Sequence, residues 1–375
     1  MPAPVRLSPV GKAHAVTRLL VTRRDPHSVL FNSFAGRYSD NPRAVFEELV
    51  RRRTDLQPTW VSSTDLPDGV DRVAPRSREY ARAAGRASVV VSNEALPHFV
   101  KKQGVTYLQT WHGTMLKRIG YDNPRYDADA EGLRRARRDY RRWDLLLSQN
   151  PHSSRTMRRA FRYDGEILES GYPRNDLLLS PQAAQVRQQV REQYGVADGV
   201  LLVLYAPTFR DESTDVPGPL PLDLALLQSA FGESVHVLAR LHHRMTGALT
   251  EPPSPAWSDA SDHPDIRDLY LASDVLLTDY SSVMFDYAVT GKPMLFFPYD
   301  LELYRDRLRG FYFDLTEQAP GPLYRSTAEI VNALGDLDRV RAEHADVYAG
   351  FRETYCPWDD GQASARVVNR LLRDR

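Results

Sequence analysis

The chain has 375 residues, 42% hydrophobic and 26% charged, with 49 Lys and Arg against 49 Asp and Glu. That length suits two domains better than one core, and no apolar run approaches the roughly 18 residues that a membrane-crossing helix needs. The single cysteine, Cys356, excludes an internal disulfide, and the first twenty residues lack the basic-then-apolar pattern of a secretory leader, so the cytoplasm is the expected address.

In chain order, short apolar runs alternate with helix-like segments, the pattern of parallel sheets flanked by helices. Strands are expected at Ser28 to Asn32, Thr59 to Ser62, Ser88 to Ser92, Val105 to Gln109, Leu145 to Ser148 and Glu166 to Glu169. Helices are expected from Pro42, where proline suits a first turn, and near 76 to 84, 130 to 142 and 152 to 161. The segment GYPRND at Gly171 to Asp176 closes this half. A polar helix from Pro181 to Tyr194 opens the next, so the expected lobes are 1–175 and 176–375. The second half predicts strands at Val200 to Tyr205, His236 to Leu241, Val275 to Thr278 and Pro293 to Phe297, with helices at 222 to 230, 265 to 272 and 282 to 290. Beyond about Ala328 the chain reads as helical, broken at Cys356 to Gly361, and Val216 to Pro221 and Glu251 to Pro255 read as surface connections. Loops at strand ends, where open α/β sheets bind ligands, then carry the chemistry.

Charge is not evenly spread. From Lys117 to Arg162 there are thirteen Lys and Arg against six Asp and Glu, a patch suited to polyanions or anionic lipid headgroups. Helix 130 to 142 is either a solvated arginine face or a membrane-surface element with Leu133, Tyr140 and Trp143 dipping into the interface. Only five of the 49 basic residues are lysine, and with abundant Ala and Pro this reflects a GC-rich coding bias as much as phosphate recognition.

Three stretches carry candidate chemistry. In QTWHGTMLKRIGYD, Gln109 to Asp122, His112 is followed by Gly113, which permits a sharp bend at a strand end; a neutral imidazole there can take a proton from an alcohol near pH 7, or it can pack a turn. In DVLLTDYSSVMFD, Asp274 to Asp286, Ser281 and Ser282 sit at a helix start, as phosphate ligands or as caps. Arg240, His242, His243 and Arg244 end a strand, where cations could neutralise a pyrophosphate or serve the surface. Adjacent His242 and His243 point to opposite faces of a strand, so no dedicated metal site is expected. Thr208, Arg210 and Asp211 follow another strand, facing a cleft or forming a charged turn. No P-loop or dinucleotide fingerprint is present.

QTWHGT with Lys117 and Asp122, SGYPRND, LYAPTFRD, RLH, DLYLASDVLLTDYSSVMFDYA, FFPYDLELYRDRLRGFYFD and the PGP at Pro320 to Pro322 occur in the order of the CDP-glycerol glycerophosphotransferase family of teichoic acid synthesis. The chain closely resembles that family over roughly residues 85 to 325. The resemblance implies a GT-B architecture of two Rossmann-like lobes around a cleft, acceptor-side first and CDP-alditol-binding second. It implies transfer of an alditol phosphate, glycerol before ribitol, from a CDP-alditol to a hydroxyl of a lipid-linked cell-wall or capsular polymer, releasing CMP. His112 is then the base, His242 an essential partner, and Thr278, Ser281 and Ser282 the donor-phosphate ligands, with Arg240 placed beside them by its strand-end position. Gly113, Thr114, Asp122, Thr208, Arg210, Asp279 and Arg309 become further cleft candidates. His243 and Met115 stand where the family usually has proline. The CDP-alditol is a substrate, and no cofactor is implied. The expected partners are the lipid-linked acceptor and the anionic inner face of the membrane, not nucleic acid. A nucleotide-sugar glycosyltransferase and a non-catalytic polymer-binding protein are the alternatives.

Overall fold

The computed structural model describes residues 16–52, 55–96, 98–124, 129–208, 220–241, 254–301 and 310–373. Two parallel sheets organise them. The first contains β1 (Ser28–Asn32), β2 (Gln57–Val61), β3 (Arg72–Val73), β4 (Val89–Ser92), β5 (Thr106–Gln109), β6 (Leu145–Ser148) and β7 (Glu166–Glu169) in the order β3-β2-β1-β4-β5-β6-β7. The second contains β8 (Leu201–Ala206), β9 (Val235–Ala239), β10 (Trp257–Asp259), β11 (Val275–Thr278) and β12 (Met294–Phe296) in the order β10-β9-β8-β11-β12. This is the doubly wound α/β architecture that the alternation implied, and the GT-B type that the resemblance implied.

Strands of such sheets are covered on both faces and therefore read as unbroken apolar runs. β1, β4, β6 and β11 are buried along their whole length. Successive side chains alternate between two cores: Leu30, Val90 and Leu146 pack on one side of the first sheet, Val29, Phe31, Val89, Val91, Leu145 and Leu147 on the other. Helices cover both sides. α1 (Asp40–Arg52), α2 (Arg78–Arg86), α3 (Ala130–Tyr140) and α4 (Pro151–Ala160) belong to the first half, α5 (Ala183–Gln193), α6 (Leu224–Phe231), α7 (Ile266–Ala272) and α8 (Val283–Tyr287) to the second. Side-chain caps start them where the sequence offers a short acceptor: Ser77 accepts from Tyr80 N, Asn150 from Ser153 N just before Pro151, and Asp265 from Arg267 N.

Three features differ from the sequence expectation. The edge strands β3 and β10, two and three residues long, are too short to show a period. α1 opens at Asp40, whose backbone is left-handed at φ 64, rather than at Pro42. The expected helix 282 to 290 splits into α8 and a 3₁₀ turn, Ala288–Thr290, ended by left-handed Gly291. The chain leaves the first core at Tyr172 and enters the second at Leu178, within the 3₁₀ segment Pro173–Leu179. After α9 (Leu315–Gln318), α10 (Thr327–Leu334), α11 (Leu337–Glu343) and α12 (Ala345–Tyr355) it returns: Val367, Val368 and Leu371 of α13 (Ala363–Leu372) pack with Phe31 and Trp60 of the first sheet and Val45 of α1. Although it lies within 176–375, α13 has its apolar face covered by α1 and the crossing segment Pro173–Leu179 and not by its sequence neighbours.

Candidate functional site

The loop after β5 carries His112, and its backbone is held against its own preference. Trp111 lies at φ 54, and nearby Phe34 and Asp40 lie at φ 30 and 64, a region that residues with a Cβ rarely enter. The restraining contacts are specific. Trp111 N donates to Gln109 Oε1 at 2.9 Å, Asn41 Nδ2 donates to the carbonyls of Thr110 and Trp111, and Arg174 Nη1 donates to the His112 carbonyl at 3.0 Å.

The imidazole stacks on Trp111, with ring centroids 4.5 Å apart, and meets the edge of Phe34 at 5.6 Å. Nδ1 lies 3.2 Å from the Asn93 carbonyl oxygen. A carbonyl only accepts, so in the neutral ring Nδ1 carries the hydrogen and Nε2 keeps its lone pair. That is the tautomer of a base. Surrounding protein lowers the His112 pKa from its usual 6.5, while Asp40 and the Asn93 carbonyl pull it upward. The ring remains exposed on its cleft side, so water limits the depression that a dry core would cause.

Behind this loop lies a buried cation. Arg174 donates to Asp40 Oδ2 and to Asp286 Oδ2, each at 2.5 Å. Burial opposes its charge, but these two carboxylates hold the guanidinium well above its usual pKa. The network continues inward. Asn175 Nδ2 donates to Asp286 Oδ1 at 3.0 Å and Asp359 Oδ1 at 3.2 Å, and Gln149 Nε2 donates to Asp359 Oδ2 at 2.9 Å. Burial pushes the Asp359 carboxyl up to about 7 despite these donors. Side chains from both halves of the chain thus fix the position of one histidine.

The second sheet supplies the opposite wall. Asp279 Oδ1 accepts from Thr208 N at 2.8 Å and from Tyr280 N at 2.5 Å, joining the turns after β8 and β11. Beyond them Tyr280 and Ser282 face residues 111–117 and Ile119 across a cleft of about 160 Å³. A β-carbon on Gly113 would come within 3.0 Å of Ser282 Oγ, so glycine is what lets the two loops approach. Ser282 precedes α8 yet makes no side-chain cap bond, which leaves its hydroxyl available to a ligand.

The structure therefore brings together His112, Gly113 and Ser282. Thr114 lines the same cleft, but its hydroxyl donates inward to Gln149 Oε1 at 2.7 Å. Ser281 flanks it, half-buried. Other candidates are spent elsewhere. The Thr278 hydroxyl is buried and donates to the Ala206 carbonyl at 2.7 Å, binding β11 to β8. The Arg240 guanidinium donates to the carbonyls of His263, at 2.7 Å, and Ala260. Asp122 accepts from Arg159 Nε at 2.8 Å and from the Tyr312 hydroxyl at 2.9 Å, a structural clamp outside the cleft. Thr208 and Asp279 join the two turns as described. His242, Arg210 and Arg309 lie outside the described residues. Sequence reasoning did not single out Asp40, Asn93, Arg174, Asp286 or Asp359, although GYPRND and the last residue of the TDYSSVMFD stretch contain two of them. Among the described residues no group of three or more His, Cys, Asp or Glu is placed to hold a metal ion.

Comparison with known proteins shows the family. The profile of a family described as CDP-glycerol:poly(glycerophosphate) glycerophosphotransferase matches residues 14–373. The teichoic acid glycerol-phosphate transferase of Staphylococcus aureus strain NCTC 8325 / PS 47 is 33% identical over 373 residues, covering 95% of each chain. The teichoic acid poly(glycerol phosphate) polymerase of Bacillus subtilis strain 168 is 34% identical over 95% of this chain but 50% of its own, so this chain spans about half the length of that relative. The solved wall teichoic acid polymerase TagF superposes with a TM-score of 0.90 at 32% identity, over 97% of this chain and 93% of that one.

Proposed function

The chain belongs to the CDP-glycerol:poly(glycerophosphate) glycerophosphotransferase family, and from that premise we propose that it transfers glycerol phosphate from CDP-glycerol to a hydroxyl of a lipid-linked polymer acceptor, releasing CMP. The observation that carries this reading is the neutral imidazole of His112, oriented through Nδ1 by the Asn93 carbonyl and exposed to a cleft whose other wall holds Ser282.

The acceptor hydroxyl hydrogen-bonds to His112 Nε2 and attacks the glycerol-bearing phosphorus of the donor. The new P–O bond forms as the bond to the bridging oxygen breaks. The hydroxyl proton passes to Nε2, and the electron pair of the broken bond leaves with CMP. Ser282 donates to the donor phosphates from across the cleft. His242, two residues after Arg240 in the sequence, is assigned the charge that builds on the leaving phosphate. Among the described residues no helix is long and apolar enough to cross a membrane; a lipid-linked acceptor and the basic segment 117–162 together favour work at the inner membrane face.

The test is CMP release by the purified protein incubated separately with CDP-glycerol and CDP-ribitol in the presence of membrane acceptor, with His112→Ala as control. CMP appearing with CDP-glycerol and lost in the variant is the expected result. Release from CDP-ribitol alone would move the assignment to the ribitol class. A donor that yields a nucleoside diphosphate instead would make the protein a glycosyltransferase.

A further inference from the structure

A second cavity, of about 240 Å³, opens between the end of α3 and the turn after α4. Arg137, Arg141 and Arg162 stand there among Tyr121, Tyr140 and Phe161, and one carboxylate, Asp164, shares the space. Arg137 and Arg141 lie one helical turn apart and so face the same way. Arg162 comes from the other side, its guanidinium carbon 4.0 Å from the Tyr121 ring centroid. Among the described residues, none of these three side chains forms an ion pair. Arginines at the end of α3 also complement the helix dipole, but that accounts for neither Arg162 nor the tyrosine walls. Neighbouring guanidiniums without carboxylate partners repel one another and bind a multiply bonded anion such as phosphate strongly.

The place of the cavity says which phosphate. Phe161, one of its walls, lies 4.8 Å from the Trp111 ring, which in turn stacks 4.5 Å from the His112 imidazole. Two aromatic rings thus separate the cavity from the base, on the lobe that carries the base and away from Ser282 on the donor side. The exposed large hydrophobics of the described residues, among them Leu20, Val21, Leu179 and Val347, include none of the cavity's residues. A headgroup site at a lipid surface would be rimmed by such side chains.

We propose that this cavity is an acceptor subsite, which holds a phosphodiester of the growing glycerol phosphate chain behind the hydroxyl presented to His112. The proposal rests on the transferase reading above and adds to it a preference for acceptors that already carry repeats. A single-unit acceptor can reach His112 but leaves the subsite empty; a longer one fills both.

The experiment compares wild type with the triple variant R137Q/R141Q/R162Q, whose exposed sites leave the core untouched, with thermal melting to confirm folding. Soluble glycerol phosphate acceptors, one single-unit and one oligomeric, are titrated calorimetrically without donor and then assayed for CMP release from CDP-glycerol. In wild type the oligomer should bind more tightly and show the lower KM, an advantage that weakens with added salt. In the variant that advantage should collapse, with oligomer affinity falling on the order of tenfold or more and the KM for CDP-glycerol keeping its wild-type value. Equal losses for both acceptors, or no loss, would overturn the subsite. So would a variant that binds the oligomer normally but no longer binds phosphatidylglycerol vesicles, because the arginines would then serve lipid. Oligomer binding that depends on the arginines, without CMP release from wild type, would retain the subsite and reject the transferase reading.

Discussion

His112 is defined by what holds it: a carbonyl on Nδ1, an indole face, and a guanidinium on its own backbone oxygen. Removing the imidazole takes away the proton acceptor without disturbing the second sheet. The His112→Ala protein should therefore bind CDP-glycerol with nearly wild-type affinity by calorimetry while turnover falls roughly a hundredfold or more; retained turnover in a folded variant would end its assignment as base. Only the neutral ring accepts a proton, and the protein around it lowers its pKa from 6.5. Activity should accordingly be full above that lowered value and be lost as pH falls through it. A pH profile whose acid limb has its midpoint below 6.5 is expected, and one above would contradict the geometry. Arg174 is a residue of a different kind, buried to 5% exposure between Asp40 and Asp286. Arg174→Met leaves two buried carboxylates without their cation, which should cost about 3–5 kcal/mol in a urea titration.

At the scale of elements, the turn between β11 and α8 separates two roles that its sequence leaves open. Ser282 stands at the start of α8 but does not cap it, and α8 is only five residues long, too short for a strong dipole. The hydroxyl, not the helix, is then the useful group. Ser282→Ala should leave the melting temperature almost unchanged, since a cap that does not exist cannot be lost, while CDP-glycerol binding weakens by roughly tenfold through loss of a hydrogen bond to a charged phosphate. A lowered melting temperature with intact donor binding would restore the structural reading. The same comparison explains uneven legibility. β1, β6, β7 and β11 coincide with the expected strands because short apolar runs between polar turns have few alternatives. β3 and β10 escaped because they are edge strands too short to show alternation.

The whole molecule is tied together by a latch of side chains at positions 149, 175, 286 and 359, drawn from the turns after β6 and β7, from α8 and from the link between α12 and α13. Its Asp359 carboxyl is pushed up to about 7 by burial, well above the ordinary carboxylate value. The folded protein therefore holds a proton there that the unfolded chain has released, and Asp359 contributes stability that is present at low pH and declines as pH rises from about 4 through 7. Each unit of that interval is worth up to about 1.4 kcal/mol. Urea titrations at pH 5 and pH 8 should show a fall on the alkaline side that is smaller in Asp359→Asn, and an identical slope in both proteins would remove Asp359 from the account.

By itself the sequence determined the α/β alternation, the positions of most strands, and the placement of His112 and of the serine turn just after strand ends, because these depend on periodicity and on residues adjacent in the chain. It could not show that α13 returns to the first sheet, that Thr278 and Asp122 are occupied by neighbours, or that Arg174 joins Asp40 and Asp286 behind His112. Those are contacts between residues far apart along the chain, and only close packing of two sheets and their crossing segments decides which polar groups meet, which are consumed in holding the fold, and which remain open to a substrate.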